Sequence, residues 1–152
     1  MSPNAWHNAR AMYERDACAQ AMGMDIVAMD EGYAVVTMTI TPQMLNGHKT
    51  CHGGQLFSLA DTAFAYACNS QGLAAVASGC SIDFLRPGFA GDTLTATART
   101  RPHHNGRDLA AVVGFFELDV LNHGALVDTQ QRTPYPRLAH VVVGSLWLLT
   151  LD

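Results

Sequence analysis

Charged side chains are scarce in this sequence: they make up 14% of its 152 residues, while 49% are hydrophobic. A shortage of this kind points to a surface partly covered by another subunit. A basic surplus is missing as well. The formal net charge of -4 argues against nucleic acid as the main partner, because phosphate binding calls for a basic face. Four cysteines (Cys18, Cys51, Cys68 and Cys80) include no C-x-x-C pair, which sets aside a zinc ribbon and leaves free thiols in a reducing compartment as the expectation. No run approaches the roughly 20 apolar residues of a membrane-spanning helix. Trp6, Arg10, Glu14, Arg15 and Asp16 interrupt the stretch where a signal peptide needs unbroken apolar sequence. The expectation is a soluble, cytoplasmic protein without a membrane partner. Its length suits one domain over residues 1–152, since compact domains commonly hold roughly 100–150 residues.

What is present changes period along the chain. Ser2-Pro3-Asn4 reads as a helix start, and Trp6, Ala9, Tyr13, Ala17 and Ala21 recur at helical spacing until Gly23. From Tyr33 the period is two, with Val36, Met38 and Ile40 on one face and threonines on the other, until Pro42. A glycine-bearing loop from Asn46 to Gly54 follows, then Gln55 to Ser70, apolar on every face and so expected to be a buried helix. Leu73–Leu85, Leu94–Arg99 and Leu109–Leu121 read as strands, with Asn105-Gly106 as a hairpin turn. The predicted class is α+β: a short N-terminal helix and a long buried helix wrapped by one curved antiparallel sheet.

Between Thr50 and Ile82 the only formally charged side chain is Asp61, midway along the most apolar helix. A buried unpaired carboxylate costs several kcal/mol, so Asp61 is neutral, paired, or placed at an opening where chemistry occurs. His52-Gly53-Gly54 immediately precedes that helix, where backbone N–H groups lack intrahelical partners and the dipole is positive. An amide at Gly53 or Gly54 could hold a carbonyl oxyanion; the plainer alternative is a glycine turn opening a helix. Gly53 and Asp61 lie about 12 Å apart along the axis, too far to meet on one reacting carbon. They serve separate purposes, or a second copy of the helix completes the site.

Asn46, His52-Gly53-Gly54, Phe57-Ser58-Leu59-Ala60-Asp61-Thr62 and Ser81-Ile82-Asp83-Phe84-Leu85-Arg86-Pro87-Gly88 together resemble the PaaI family of hotdog-fold acyl-CoA thioesterases, which act in phenylacetate degradation. The resemblance spans residues 5–125. It implies the hotdog fold, a homotetramer of two dimers, and sites at the dimer interface hydrolysing (hydroxy)phenylacetyl-CoA or a related thioester. By the same resemblance, Asp61 acts as base or nucleophile from the facing subunit. Gly53 binds the thioester oxygen, Asn46 and His52 orient the reacting groups, and Thr62 is a neighbouring hydroxyl. No metal or redox cofactor is implied.

Arg86, Arg99, Arg101 and Arg107, with Lys49, gather positive charge that suits the phosphates of coenzyme A, although solvated strand-end arginines read equally well. His48 and His52 are spaced i, i+4, but no third metal ligand is evident. Phe57, Phe64, Tyr66, Phe84 and Phe89 either line an acyl pocket or form core. Residues 129–152 depart from the family pattern. Leu126-Val127-Asp128 begins the expected last strand, Pro134 and Pro136 break it, and the apolar stretch from Val141 to Leu149 is either a substitute edge strand, a subunit contact or an altered frame. Two competing readings are an acyl-thioester dehydratase or hydratase using His52 with Asp61, and a non-catalytic acyl-CoA-binding module.

Overall fold

The computed structural model describes residues 2–72, 74–101, 115–122 and 137–148, with side chains as far as Arg99. Helix α1 (Pro3–Tyr13) begins where the sequence expects, although the Ser2 side chain makes no capping bond. The Ser2 backbone does that work instead, its amide donating to Asp30 at 2.9 Å and its carbonyl accepting from Trp6 at 3.3 Å. The single short helix expected through Ala21 is two helices. Helix α2 (Ala17–Ala21) has its own N-cap, Asp16, whose carboxylate accepts from the Ala19 amide at 2.9 Å.

Strands β1 (Asp25–Asp30) and β2 (Tyr33–Thr39) form a hairpin closed at Asp30↔Tyr33, with Gly32 at φ 65° supplying the turn. The sequence pattern revealed only β2. A register irregularity between Ile26 and Ala28 leaves Val27 54% exposed and spoils the alternation that would have marked β1. Buried Ser70 accepts from the Gly32 amide at 2.8 Å through its hydroxyl, and from the Asn8 side chain at 2.9 Å through its carbonyl. It thereby ties the hairpin and α1 to the end of the central helix.

That helix, α3 (Gly53–Cys68), lies across β2 and β4 (Thr93–Arg101). The two strands pair Ala34↔Ala98, Val36↔Ala96 and Met38↔Leu94, and all six residues are buried. Alanines on the sheet meet Ala60, Ala63 and Ala67 of α3, so helix and sheet approach closely, while Leu56, Leu59 and Phe64 fill the remaining space. Each large side chain so buried contributes about 1.5–3 kcal/mol. Burial on every face, expected from the composition of α3, is not what the single chain shows. Phe57, Ser58, Thr62, Ala65 and Cys68 are half-buried and Asp61 is exposed, forming an outward stripe at i, i+3, i+4 spacing.

The six strands lie in the order β1-β2-β4-β5-β6-β3, with β3 at Ala75–Phe84, β5 at Phe115–Asn122 and β6 at Arg137–Leu148. Strands β4, β5 and β6 form the expected antiparallel meander. Strand β3 does not join it in sequence order; after α3 the chain crosses to the edge opposite β1 and pairs there with β6. The apolar C-terminal stretch is an interior strand, not an edge substitute: Val141 pairs with both Leu118 and Ile82. The predicted turn at Asn105-Gly106, the segment 109–114, the start at Leu126-Val127-Asp128, and Pro134 and Pro136 lie outside the described residues.

The step from α3 to β3 depends on Asn69. Its buried amide donates to the carbonyls of Ala65 and Ala75 at 2.8 and 2.9 Å and accepts from the Ala75 amide at 2.7 Å. Replacing it with alanine removes two hydrogen bonds from the Ala75 backbone, whose carbonyl keeps only the weak Cys68 thiol contact at 3.8 Å beside any ladder bond. Asn69→Ala is therefore predicted to lose about 2–3 kcal/mol of stability, measured by urea denaturation; a loss below about 0.5 kcal/mol would show that these groups are satisfied some other way.

Candidate active site

The loop before α3 is held in place by backbone hydrogen bonds on both sides. The Asn46 amide donates to the Thr50 carbonyl, the His52 amide to Met44, and the Cys51 amide to Gly88, each at 2.8 Å. The Asn46 carboxamide oxygen also accepts from the His48 and Thr50 amides at 2.9 and 3.2 Å, and its nitrogen lies 3.0 Å from the Thr50 hydroxyl. Asn46 is thus a staple within the loop. Lys49 sits at φ 60°, a left-handed conformation that side chains other than glycine seldom adopt, fixed by this same network.

His52 is the N-cap of α3. Its Nδ1 accepts from the Gly54 amide at 3.1 Å and its carbonyl from the Gln55 amide at 2.8 Å. An accepting Nδ1 carries no proton, so the proton of the neutral ring lies on Nε2, and His52 is exposed to solvent. The cap accounts for the amides of Gly54 and Gln55. The Gly53 amide finds no acceptor among the described residues. One donor at the positive end of a helix of 16 residues remains available to a ligand.

That donor borders an open cleft of about 500 Å³ lined by Thr50, Cys51, Gly53, Leu56, Phe84, Leu85, Arg86 and Pro87. The bond from Cys51 to Gly88 joins its two walls, the loop and the segment leaving β3. The sequence grouped Gly53 with Arg86 only loosely; the structure brings them to one cavity. Of the aromatic candidates, Phe64 and Tyr66 are core, Phe57 is half-buried on the outward stripe of α3, and Phe84 and Phe89 are exposed. Only Phe84 lines the cleft. The sequence left Phe84 as either pocket or core, and the structure puts it in the cleft.

Asp61 is not part of this cleft. Eight residues separate it from Gly53 along α3, about 12 Å, and it is exposed on the outward stripe with Thr62 half-buried beside it. Enough protein surrounds the carboxylate that desolvation raises its pKa above the usual aspartate range, with a smaller push from the negative charge of Asp16. Asp16 was not foreseen: it caps α2, and its carboxylate accepts from the Tyr66 hydroxyl of α3 at 3.4 Å.

The remaining candidates divide. Arg86 and Lys49 are exposed near the cleft. Arg99 stacks on the Tyr33 ring at 4.2 Å. Arg101 ends β4, and Arg107 lies outside the described residues. Burial pushes the Cys51 thiol up to about 11 and the Cys68 thiol up to about 12, reinforced by Asp92 and Asp61 respectively, so neither is a thiolate nucleophile at neutral pH. Among the described residues no group of three or more His, Cys, Asp or Glu could hold a metal ion, and no helix is long and apolar enough to cross a membrane.

Comparison with known proteins gives this geometry its context. The profile of the thioesterase superfamily matches residues 48–110, which include the loop, the cap, α3 and the cleft walls. The acyl-coenzyme A thioesterase PaaI of Escherichia coli K12 is 70% identical over 133 residues, 88% of this chain and 86% of that protein. The structure of E. coli PaaI, from the phenylacetic acid degradation operon, superposes with a TM-score of 0.79 at 59% identity, covering 97% of this chain and 94% of the other. A Streptococcus mutans protein solved with acetyl CoA bound has a TM-score of 0.66 at 25% identity, covering 83% of this chain and 88% of that one. The fold is therefore the hotdog fold, and the chain belongs to the thioesterase superfamily, within its PaaI family of acyl-CoA thioesterases.

Proposed function

We propose that the chain hydrolyses the thioester of (hydroxy)phenylacetyl-CoA or a related acyl-CoA, and that the site is shared between two subunits. The observation that carries this reading is the available Gly53 amide at the head of α3, facing a cleft that also holds Arg86. The thioester oxygen takes the Gly53 N–H, and negative charge that builds on it during attack is met by the helix dipole. His52 caps the helix beside this donor, and Asn46 keeps the loop in register. Arg86 and Lys49, with Arg101 and Arg107, are the cations proposed for the coenzyme A phosphates.

Asp61 then comes from the facing subunit, where its carboxylate activates water or attacks the carbonyl directly, with Thr62 as its neighbour. Two features favour a partner. The single chain leaves Asp61 away from the cleft, and β3 is an edge strand whose Val76 and Phe84 are 43% and 56% exposed. A homodimer joined near this edge, assembled further into a homotetramer, also accounts for the scarcity of charge. The chemistry proposed needs no metal or redox cofactor, and the cytoplasm, where thiols stay reduced, suits the four free cysteines. The dehydratase reading gains nothing from this geometry, because the Nδ1 of His52 is occupied as a cap.

Asp61→Asn is predicted to lower kcat on acyl-CoA thioesters by about 10²- to 10⁴-fold while coenzyme A binding persists; unchanged turnover would refute the assignment. The carboxylate is the active form and its pKa is raised, so activity is predicted to fall with decreasing pH through a midpoint above the roughly 3.9 of an unperturbed aspartate. For stability the sign is opposite: a raised folded pKa means the folded state loses stability as pH climbs through that window, while activity rises. At pH 7 the Asn variant should therefore melt no lower than the wild type, and a lower Tm would contradict this. Sharing of the site makes a further prediction. Asp61→Asn and Gly53→Val chains, each inactive alone, should regain about a quarter of wild-type activity when mixed as dimers, since half would be hybrids with one intact site. No recovery in demonstrated hybrids would exclude a composite site.

A further inference from the structure

We propose that Phe84 is a positioning residue, its ring closing one flank of the Gly53 amide so that the thioester oxygen reaches the N–H from the cleft side alone. This rests on the thioesterase reading above. A Cβ placed on Gly53 would lie 2.9 Å from both Cε1 and Cζ of Phe84, nearer than such atoms ever sit, so the ring packs directly against the glycine backbone. Phe84 is nonetheless 56% exposed. The hydrophobic effect alone would draw the ring inward; instead it stands at the mouth of the cleft, packed against the Gly53 backbone, whose amide finds no acceptor among the described residues.

The backbone explains how it stays there. Phe84 is the last residue of β3 and pairs with Ala139 of β6, while four residues later Gly88 accepts from Cys51, immediately before the helix cap. The chain bearing the ring is thus fastened on both sides of it, once to the sheet and once to the loop that ends in His52. Arg86, two residues on, lines the same cleft. A substrate anchored at Arg86 would run past the ring to reach Gly53. With one flank closed, the carbonyl has a single line of approach to the donor.

Gly53 must accordingly be glycine for a reason separate from catalysis. Alanine there keeps the N–H but displaces the ring. The test is steady-state kinetics on one acyl-CoA thioester for wild type and the variants Phe84→Ala, Phe84→Tyr, Gly53→Ala and Gly53→Ala/Phe84→Ala, each confirmed folded by circular dichroism and in the wild-type assembly by sedimentation. Phe84→Ala should lower kcat about 10- to 100-fold with KM within about threefold, and Phe84→Tyr, which retains the ring, should stay within about twofold of wild-type kcat. Gly53→Ala should match Phe84→Ala, and the double variant should be no worse than either, since both remove the same wall. The proposal is overturned if Phe84→Ala changes KM alone or nothing, if Tyr fails to restore kcat, or if the two losses multiply. A wild-type protein without thioester hydrolysis would sink the underlying function instead, and is read before any variant.

Discussion

The docking of α3 on an alanine-lined sheet is the constraint from which the site follows. Ala34, Ala96 and Ala98 on the strands and Ala60, Ala63 and Ala67 on the helix leave no room for larger groups between them, so the helix cannot roll or slide without opening voids or clashes. Its direction is fixed in turn by Asn69 at one end and by His52 at the other. A straight helix rises about 1.5 Å per residue. Once its position is set, the Gly53 amide and the Asp61 carboxylate are held at separate places on the surface of one chain, and no choice of rotamer brings them together.

The cap shows how a small local choice becomes functional. A serine or aspartate would serve as an N-cap, but histidine also places a ring nitrogen at the helix entrance and accepts only from Gly54. The following amide bond of the first turn goes to the His52 carbonyl. What remains unsatisfied is the Gly53 donor, and an unsatisfied donor at a rim is a standing invitation to an acceptor, whether water or substrate. The loop around it is unusually well braced for a surface segment, with Asn46, Met44 and Gly88 each holding a different residue of it. That bracing keeps the donor aimed before a ligand arrives, so little reorganisation is needed at the moment of binding.

Much of this was legible in the sequence where a pattern had one physical cause. The period of two in β2 and β4 and the glycines that open α3 each named an element correctly. The reading failed where two causes competed. An all-apolar helix looked buried throughout, yet composition cannot say how much of it one chain covers, and Phe57 and Ala65 lie half-buried on its outward stripe. Strand β1 was hidden because its irregular register breaks the alternation. The apolar stretch near the C-terminus was unplaceable because an interior strand and a sticky tail have the same composition; only pairing with both β5 and β3 decides between them. Asp16 carried no signal at all, since its relation to Asp61 exists only after α2 folds back on α3.

That relation bears on why Asp61 stands where it does. A carboxylate on an apolar helix face already resists ionisation, and the fold adds a second negative charge, that of Asp16, nearby. Asp16 is itself held by the Ala19 amide and the Tyr66 hydroxyl, so it cannot turn away to relieve the repulsion. A structural acid would be expected to sit beside a donor or an arginine, as Arg99 sits on Tyr33. Asp61 instead keeps a destabilised charge, which makes the carboxylate a stronger base than its exposure alone would suggest and favours any step that disperses its charge or takes up a proton. Covering the outward stripe of α3 with a second subunit would remove water from the carboxylate and sharpen the same effect. Burial and repulsion thus act in one direction, toward a carboxylate that gains from taking up a proton.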